Sequence, residues 1–148
     1  MLAKEIMTTE VITVGPEETV KEAAKILSEN KISGLPVLDD EGRLIGVVTE
    51  QDLIVRNKKF DFPEYIYFLD SIIYLESFNS FEEDFKKMIA TTVEEVMSDD
   101  VISVDPETPI EEIATLMSIE NINRVPVVKD DQLVGIISRA DIVRVMAE

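Results

Sequence analysis

Gly46-Val47-Val48-Thr49-Glu50-Gln51-Asp52 closes a short apolar run and opens a charged one, and Gly135-Ile136-Ile137-Ser138-Arg139-Ala140-Asp141 repeats it near the other end of the chain. In both stretches glycine, hydroxyl and carboxylate keep the same spacing, at what reads as a strand running into a helix. Working outward, Val11-Ile12-Thr13-Val14 matches Val101-Ile102-Ser103-Val104, and Pro16-Glu17 matches Pro106-Glu107. Leu35-Pro36-Val37-Leu38 matches Val125-Pro126-Val127-Val128, and all three matches are ninety positions apart. After the turn Asp39-Asp40-Glu41-Gly42 the second copy is one residue shorter, and the offset is eighty-nine through to Asp52 and Asp141. Two copies, about residues 3–56 and 93–146, flank a segment that is not repeated.

Each copy reads in the same order. A β-rich run (Val11 to Val14) leads through Pro16 into a helix whose apolar positions Val20, Ala23, Ala24 and Leu27 fall at i, i+3, i+4 and i+7, and Ile110, Ile113, Ala114 and Met117 repeat that stripe. Thr19 with Glu22, and Thr108 with Pro109 and Glu111, are capping-box arrangements that mark the helix starts. A strand at the proline, a polar turn, a second strand (Leu44 to Val48, Leu133 to Ile137) and a closing helix complete a β-α-β-β-α unit. About fifty residues bury too little surface to stand comfortably alone, so the two copies are expected to share a core with pseudo-twofold symmetry. The expected fold class is α/β (α+β), with one repeat at 1–57, a helical insertion at 58–90 and a second repeat at 91–148.

Composition removes several function classes. The 148 residues include no cysteine and no histidine, which rules out disulfides and takes away the usual zinc, iron–sulfur and haem ligands; no metal site is expected. Imidazole-dependent nucleophilic catalysis is excluded with them. A formal charge of −17 repels phosphate backbones, and no basic stripe offsets it, so nucleic acid is not an expected partner. No apolar run approaches the roughly 18 residues of a membrane span, and MLAKEIMTTE is not a secretory signal, so the expected location is cytoplasmic. No phosphate-binding glycine loop of either common pattern is present. The acidic clusters Asp39-Asp40-Glu41 and Asp130-Asp131 read as solvated turns, and the chain is not expected to be an enzyme.

The duplicated motif admits two readings from its residues alone. Thr49-x-x-Asp52 and Ser138-x-x-Asp141 are close to the capping pattern in which the hydroxyl accepts from an amide of the first turn and the acid reaches back. A helix amino terminus also suits phosphate, and a carboxylate beside it suits the paired hydroxyls of a ribose. One set of residues can do both, and duplication of a cap would produce the same recurrence.

The order VITVGPE, amphipathic helix, ISGLPVLD, LIGVVTEQD resembles the CBS domain, named after cystathionine β-synthase, and two in tandem resemble a Bateman module. The resemblance covers both repeats. It implies a regulatory sensor that binds adenosine-containing ligands, such as AMP, ADP, ATP or S-adenosylmethionine, in clefts between paired repeats. Carried over by position, one cleft would use Ser138 and Asp141 for phosphate and ribose, with Ile12, Ile32 and Ser33 around the adenine. The companion cleft would use Thr49 and Asp52 with Ile102, Ile122 and Asn123. Each isoleucine reads equally as core packing. Where the first copy has Ser33-Gly34 and Glu50, the second has Asn123-Arg124 and Arg139. Arg124 is the leading phosphate candidate, ahead of Arg139 and Lys31, and the cleft with Asp141 is expected to bind more tightly.

All nine aromatic residues lie between Phe60 and Phe85. Residues 63–76 read as a helix apolar on most faces, and Ser80 with Glu83 caps a second, shorter one. These helices are expected to pack on the repeats, or to form the surface of a homodimer or a partner complex. A structural or dimerisation module with empty clefts is the alternative to a sensor, and the regulated protein is not legible.

Overall fold

The structure is a computed structural model that describes residues 1–55 and 82–148. Aromatic positions from Phe60 to Phe81, the helix expected at 63–76 and the Ser80 cap lie outside the described residues. The elements in order are α1 (Ala3–Ile6), α2 (Val20–Asn30), β1 (Gly34–Leu38), β2 (Leu44–Thr49), α3 (Glu50–Val55), α4 (82–90), α5 (Val93–Val96), α6 (Ile110–Glu120), β3 (Arg124–Lys129), β4 (Gln132–Ser138) and α7 (Arg139–Met146). β1 pairs with β2, and β3 pairs with β4 in a separate two-stranded sheet. This is the expected mixed α/β class. The second hairpin runs antiparallel from Arg124 opposite Ser138 to Lys129 opposite Gln132, with a register irregularity between Val127 and Val128.

The runs expected as first strands are shorter than strands. Val14 is held by a single bridge, and Val104 by one parallel bridge to Val127. Valine, isoleucine and threonine favour extended backbone here, but only one residue of each run finds a ladder partner.

The starts of α2 and α6 differ, a side-chain cap closing the first and not the second. Thr19 caps α2: its Oγ1 accepts from the Glu22 amide at 3.1 Å, and its own amide donates to Glu22 Oε2 at 3.0 Å. Thr108 does not cap α6, whose N-cap is Pro109 with no side-chain cap. The Thr108 hydroxyl instead accepts from the Asp105 amide at 3.2 Å, inside the preceding turn. The first amide of α6 is satisfied from elsewhere, since Ile110 N donates to Met1 O at 3.0 Å. In the expected stripe of α2, Val20, Ala23 and Leu27 are buried, whereas Ala24 is exposed. Ile113 and Met117 are the buried pair of α6.

Chain contacts divide the protein into two compact units that do not coincide with the repeats: Met1–Thr13 with Pro36–Gly46 and Asp99–Glu148, and Val14–Leu35 with Val47–Ser98. In the first, Ala3, Ile113, Met117, Val125, Val127, Ile137 and Ile142 form a buried cluster flanked by Ile6, Met7 and Val104. In the second, Val20, Ala23, Leu27, Leu35, Val48, Val93 and Val96 are buried.

The opening segment of each repeat is bonded to the other repeat. At the start of the first copy, Ala3 N donates to Thr108 O, Lys4 N to Pro106 O, and Thr8 exchanges two backbone bonds with Ile136. Residues 91–98, at the start of the second copy, do the same to the first: Val20 N donates to Thr91 O, Val93 N to Glu18 O, and Ser98 exchanges two bonds with Val47. Met7 lies across β4 at Gly135, where an added Cβ would stand 2.5 Å from the Met7 sulfur. Glycine is required there because the crossing segment occupies the space of a side chain.

Candidate functional site

The two strand-to-helix junctions have the same construction. Leaving β2, Thr49 donates its amide to Asp52 Oδ2 at 3.0 Å, and Asp52 N donates to Thr49 Oγ1 at 3.3 Å. Leaving β4, Ser138 donates its amide to Asp141 Oδ2 at 2.8 Å, and Asp141 N donates to Ser138 Oγ at 3.3 Å. The capping reading of both motifs is therefore correct. Each carboxylate is sunk into its junction, with Asp52 6% and Asp141 9% exposed. Aspartate is rarely buried without partners, and both have them. Asp141 also accepts from Ser138 Oγ at 2.9 Å and, at Oδ1, from Arg144 Nη2 at 2.9 Å.

The residue before each repeat's first hairpin strand is tied to that same junction. Glu50 N donates to Ser33 O at 3.0 Å, and Arg139 N donates to Asn123 O at 2.9 Å. Ser33 thus lies beside the Thr49–Asp52 junction and Asn123 beside the Ser138–Asp141 junction through backbone bonds. Arg124 stands directly opposite Ser138 in the β3–β4 register, where facing side chains share one side of the sheet. Arg139 donates through Nε to Ile122 O at 3.1 Å, so part of its guanidinium is already engaged. Lys31 is exposed and holds the left-handed C-cap of α2 at φ 53°.

Burial separates the four isoleucines. Ile122 packs against the core of the first unit, which bears out the core reading for that residue. Ile32 and Ile102 are half-buried, and Ile12 is 40% exposed. Of the expected ligand residues, Ile12, Ile102, Ile122, Asn123, Arg124, Ser138 and Asp141 belong to the first unit; Ile32, Ser33, Thr49 and Asp52 belong to the second.

The first unit also carries a hollow of about 490 Å³, open to solvent, that residue patterns did not single out. Asp39, Arg43, Leu44 and Ile45 from the first hairpin, Asp99, Val101 and Ser103 flanking Ile102, and Val128 and Asp131 line it. Arg43 is tied to Asp39 and Glu41, each at 3.0 Å. The Asp39 carboxyl is held below its ordinary value of 3.8, chiefly by the backbone amide of Arg43. Among the described residues no group of three or more acidic side chains is placed to hold a metal ion, and no helix is long and apolar enough to cross a membrane.

The CBS domain family matches this chain twice, at residues 3–58 and 93–148. Protein MJ1426 of Methanocaldococcus jannaschii is 30% identical over 154 residues, covering 99% of this chain and 91% of its own length. The CBS domain pair of protein MJ0100, solved in complex with 5′-methylthioadenosine and S-adenosyl-L-methionine, is 30% identical and superposes with a TM-score of 0.70 over 99% of this chain and 96% of that one. CBSX2, a protein of Arabidopsis thaliana solved in complex with AMP, is 28% identical, with a TM-score of 0.72 over 99% of this chain and 96% of that one. With two family matches on the two repeats and solved domain pairs of the same fold along nearly its whole length, the chain belongs to the CBS domain family as a tandem pair.

Proposed function

We propose that this chain is a cytoplasmic regulatory module that binds an adenosine-containing ligand, one of AMP, ADP, ATP or S-adenosylmethionine, without turning it over. It works as a homodimer and passes its ligand state to a regulated protein. One observation carries the reading: a hydroxyl and a buried carboxylate recur at both strand-to-helix junctions, next to amides of a helix start. That is the chemistry a phosphoribosyl group needs. The relatives crystallised with AMP, or with S-adenosylmethionine and methylthioadenosine, support the ligand class. The ligand residues are those carried over by position, Ile12, Ile32, Ser33, Thr49, Asp52, Ile102, Ile122, Asn123, Ser138 and Asp141, with Arg124 serving phosphate.

Occupied carboxylates give the binding a cost and a consequence. A ribose diol on Asp141 Oδ1 competes with Arg144, which now holds that oxygen. Ligand binding therefore exchanges an ion pair within α7 for a bond to the sugar, and an equilibrium moves only by that difference in affinity. Arg124 opposite Ser138, against Glu50 beside Thr49, makes the Asp141 site the tighter of the two.

A thermal-shift panel of AMP, ADP, ATP, NAD and S-adenosylmethionine tests the proposal. At a hundredfold excess over its Kd, a ligand specific for the folded state adds about 2.7 kcal/mol. Asp141→Asn keeps an acceptor for the cap, and is expected to abolish the larger part of the shift, while Asp52→Asn removes the smaller. The same carboxylates are engaged in closing their own helices, and this favours the second reading, a structural module with empty sites. No shift with any compound establishes that second reading, and calorimetry showing two identical sites refutes the inequality.

A further inference from the structure

Arg139 is bonded twice to one turn. Its backbone amide donates to Asn123 O at 2.9 Å, and its Nε donates to Ile122 O at 3.1 Å. The turn begins at Asn121, which ends α6 in the left-handed region at φ 52°, and Ile122 N is held by Met117 O at 3.1 Å. Ile122 packs against the buried cluster of the first unit, and Asn123 leads into β3. Arg139 itself opens α7, between Ser138 and Asp141. One residue therefore ties the helix start that carries a hydroxyl and a carboxylate to the turn that carries Ile122 and Asn123.

The first repeat has the same backbone frame without the side-chain bond. Lys31 closes α2 at φ 53°, Ile32 N is held by Leu27 O at 3.1 Å, and Glu50 N donates to Ser33 O at 3.0 Å. Glu50 stands where the second repeat has Arg139, and an ionised carboxylate only accepts, so it has no donor for a carbonyl. An exposed guanidinium close to residues suited to an anionic ligand reads first as a phosphate contact. Here the Nε–H is spent on a backbone carbonyl instead, and a bond that orders a turn in advance lowers what binding must spend on ordering it.

We infer that Arg139 is a positioning residue, whose guanidinium braces the Ile122–Asn123 turn against the Ser138–Asp141 helix start so that these ligand residues keep one geometry before ligand arrives. It supports residues that bind and does not itself take phosphate. The brace gives the second repeat a pre-organisation that Glu50 withholds from the first. The inference rests on the adenosine-ligand reading and adds to it a residue that acts through others.

Two substitutions separate the hydrogen bond from the charge. Arg139→Gln keeps an N–H donor at the same distance along the side chain and discards the charge, whereas Arg139→Lys keeps the charge and puts a methylene where Nε stands. Calorimetry on the full chain with AMP, ADP, ATP and S-adenosylmethionine is expected to show Kd raised about three- to tenfold in Arg139→Lys, the worth of one hydrogen bond, and within about twofold of the unaltered protein in Arg139→Gln. Amide exchange of the ligand-free protein should follow the same order, the amide of residue 139 exchanging about threefold faster or more in Arg139→Lys and unchanged in Arg139→Gln. Any affinity order in which Arg139→Gln is not the closer to the unaltered protein overturns the inference, and retention by Lys with loss by Gln makes Arg139 a phosphate contact. If the unaltered protein binds none of the four compounds, the adenosine reading falls, and the brace is then decided by exchange alone: a residue 139 amide that Arg139→Lys leaves unchanged overturns it as well.

Discussion

The carboxylate of Asp141 accepts three hydrogen bonds, two from Ser138 and one from Arg144, while only 9% of the residue is exposed. Removing the carboxylate leaves the Ser138 amide and the Arg144 guanidinium without this partner, while the Ser138 hydroxyl still accepts from the Asp141 amide. Asp141→Ala should therefore cost about 1–2 kcal/mol in a urea titration, the loss of a buried carboxylate's hydrogen bonds, and Asp141→Asn well under half of that. On the proposed function a ribose at Asp141 displaces Arg144, whose guanidinium is largely exposed. Arg144→Ala is expected to tighten the ligand by about two- to fivefold in calorimetry, the worth of an exposed pair within one helix. Weaker binding would assign Arg144 to the ligand itself. At Gly135 the constraint is steric. Gly135→Ala drives a Cβ toward the Met7 sulfur and should cost about 1–3 kcal/mol, with Met7→Ala in the same chain recovering part of it because the clash is removed.

At the scale of elements, two helices of equal length start by different means. Thr19 closes α2 with a reciprocal box, whereas Thr108 serves the turn at Asp105 and α6 takes its first partner from Met1. Thr19→Ala should lower stability by about 1 kcal/mol. Thr108→Ala should lower it by no more than about 0.5 kcal/mol, the low end for one hydrogen bond in an exposed turn. Urea midpoints of the two variants decide the order, and equal losses would mean that Thr108 caps α6 in solution. Much of this scale was legible beforehand. Both hairpins, the two junction boxes, the Thr19 box and the helix over 82–90 follow from patterns no longer than four to eleven residues. The leading strands fall short because their bridge partners lie away in sequence, and Thr108 does not cap α6 because its hydroxyl serves the Asp105 turn while Met1 supplies the helix's first partner.

For the whole molecule the consequential feature is the exchange of lead-in segments. Residues 1–8 complete one edge of the second repeat and residues 91–98 complete the first, each supplying an amide partner to the opening of α2 or α6. Neither repeat's hairpin and helices are then a self-sufficient fold, consistent with units that draw on both halves of the chain. Deleting Met1–Thr8 removes the fully buried Ala3 and the bonds to Thr108, Pro106 and Ile136. Stability should fall by about 3 kcal/mol or more. In the intact chain, hydrogen exchange should show the Thr8 and Ile136 amides opening together with the β3–β4 hairpin, and early independent exchange at Thr8 would contradict the exchange of segments.

The sequence by itself determined the duplication, the succession of helix, hairpin and closing helix within each copy, the family and the residue types at the two junctions. These depend on local periodicity and on a repeat that needs no coordinates to be seen. Tertiary structure alone decided that Met7 crosses Gly135, that Met1 serves α6, that Arg124 stands opposite Ser138, and that both oxygens of Asp141 are taken. The longest of these pairings close loops of a hundred residues and more, and a loop that long costs only slightly more than a short one. Sequence distance therefore says almost nothing about which partner is chosen; packing of Ala3 and Met7 into a core that is already there does.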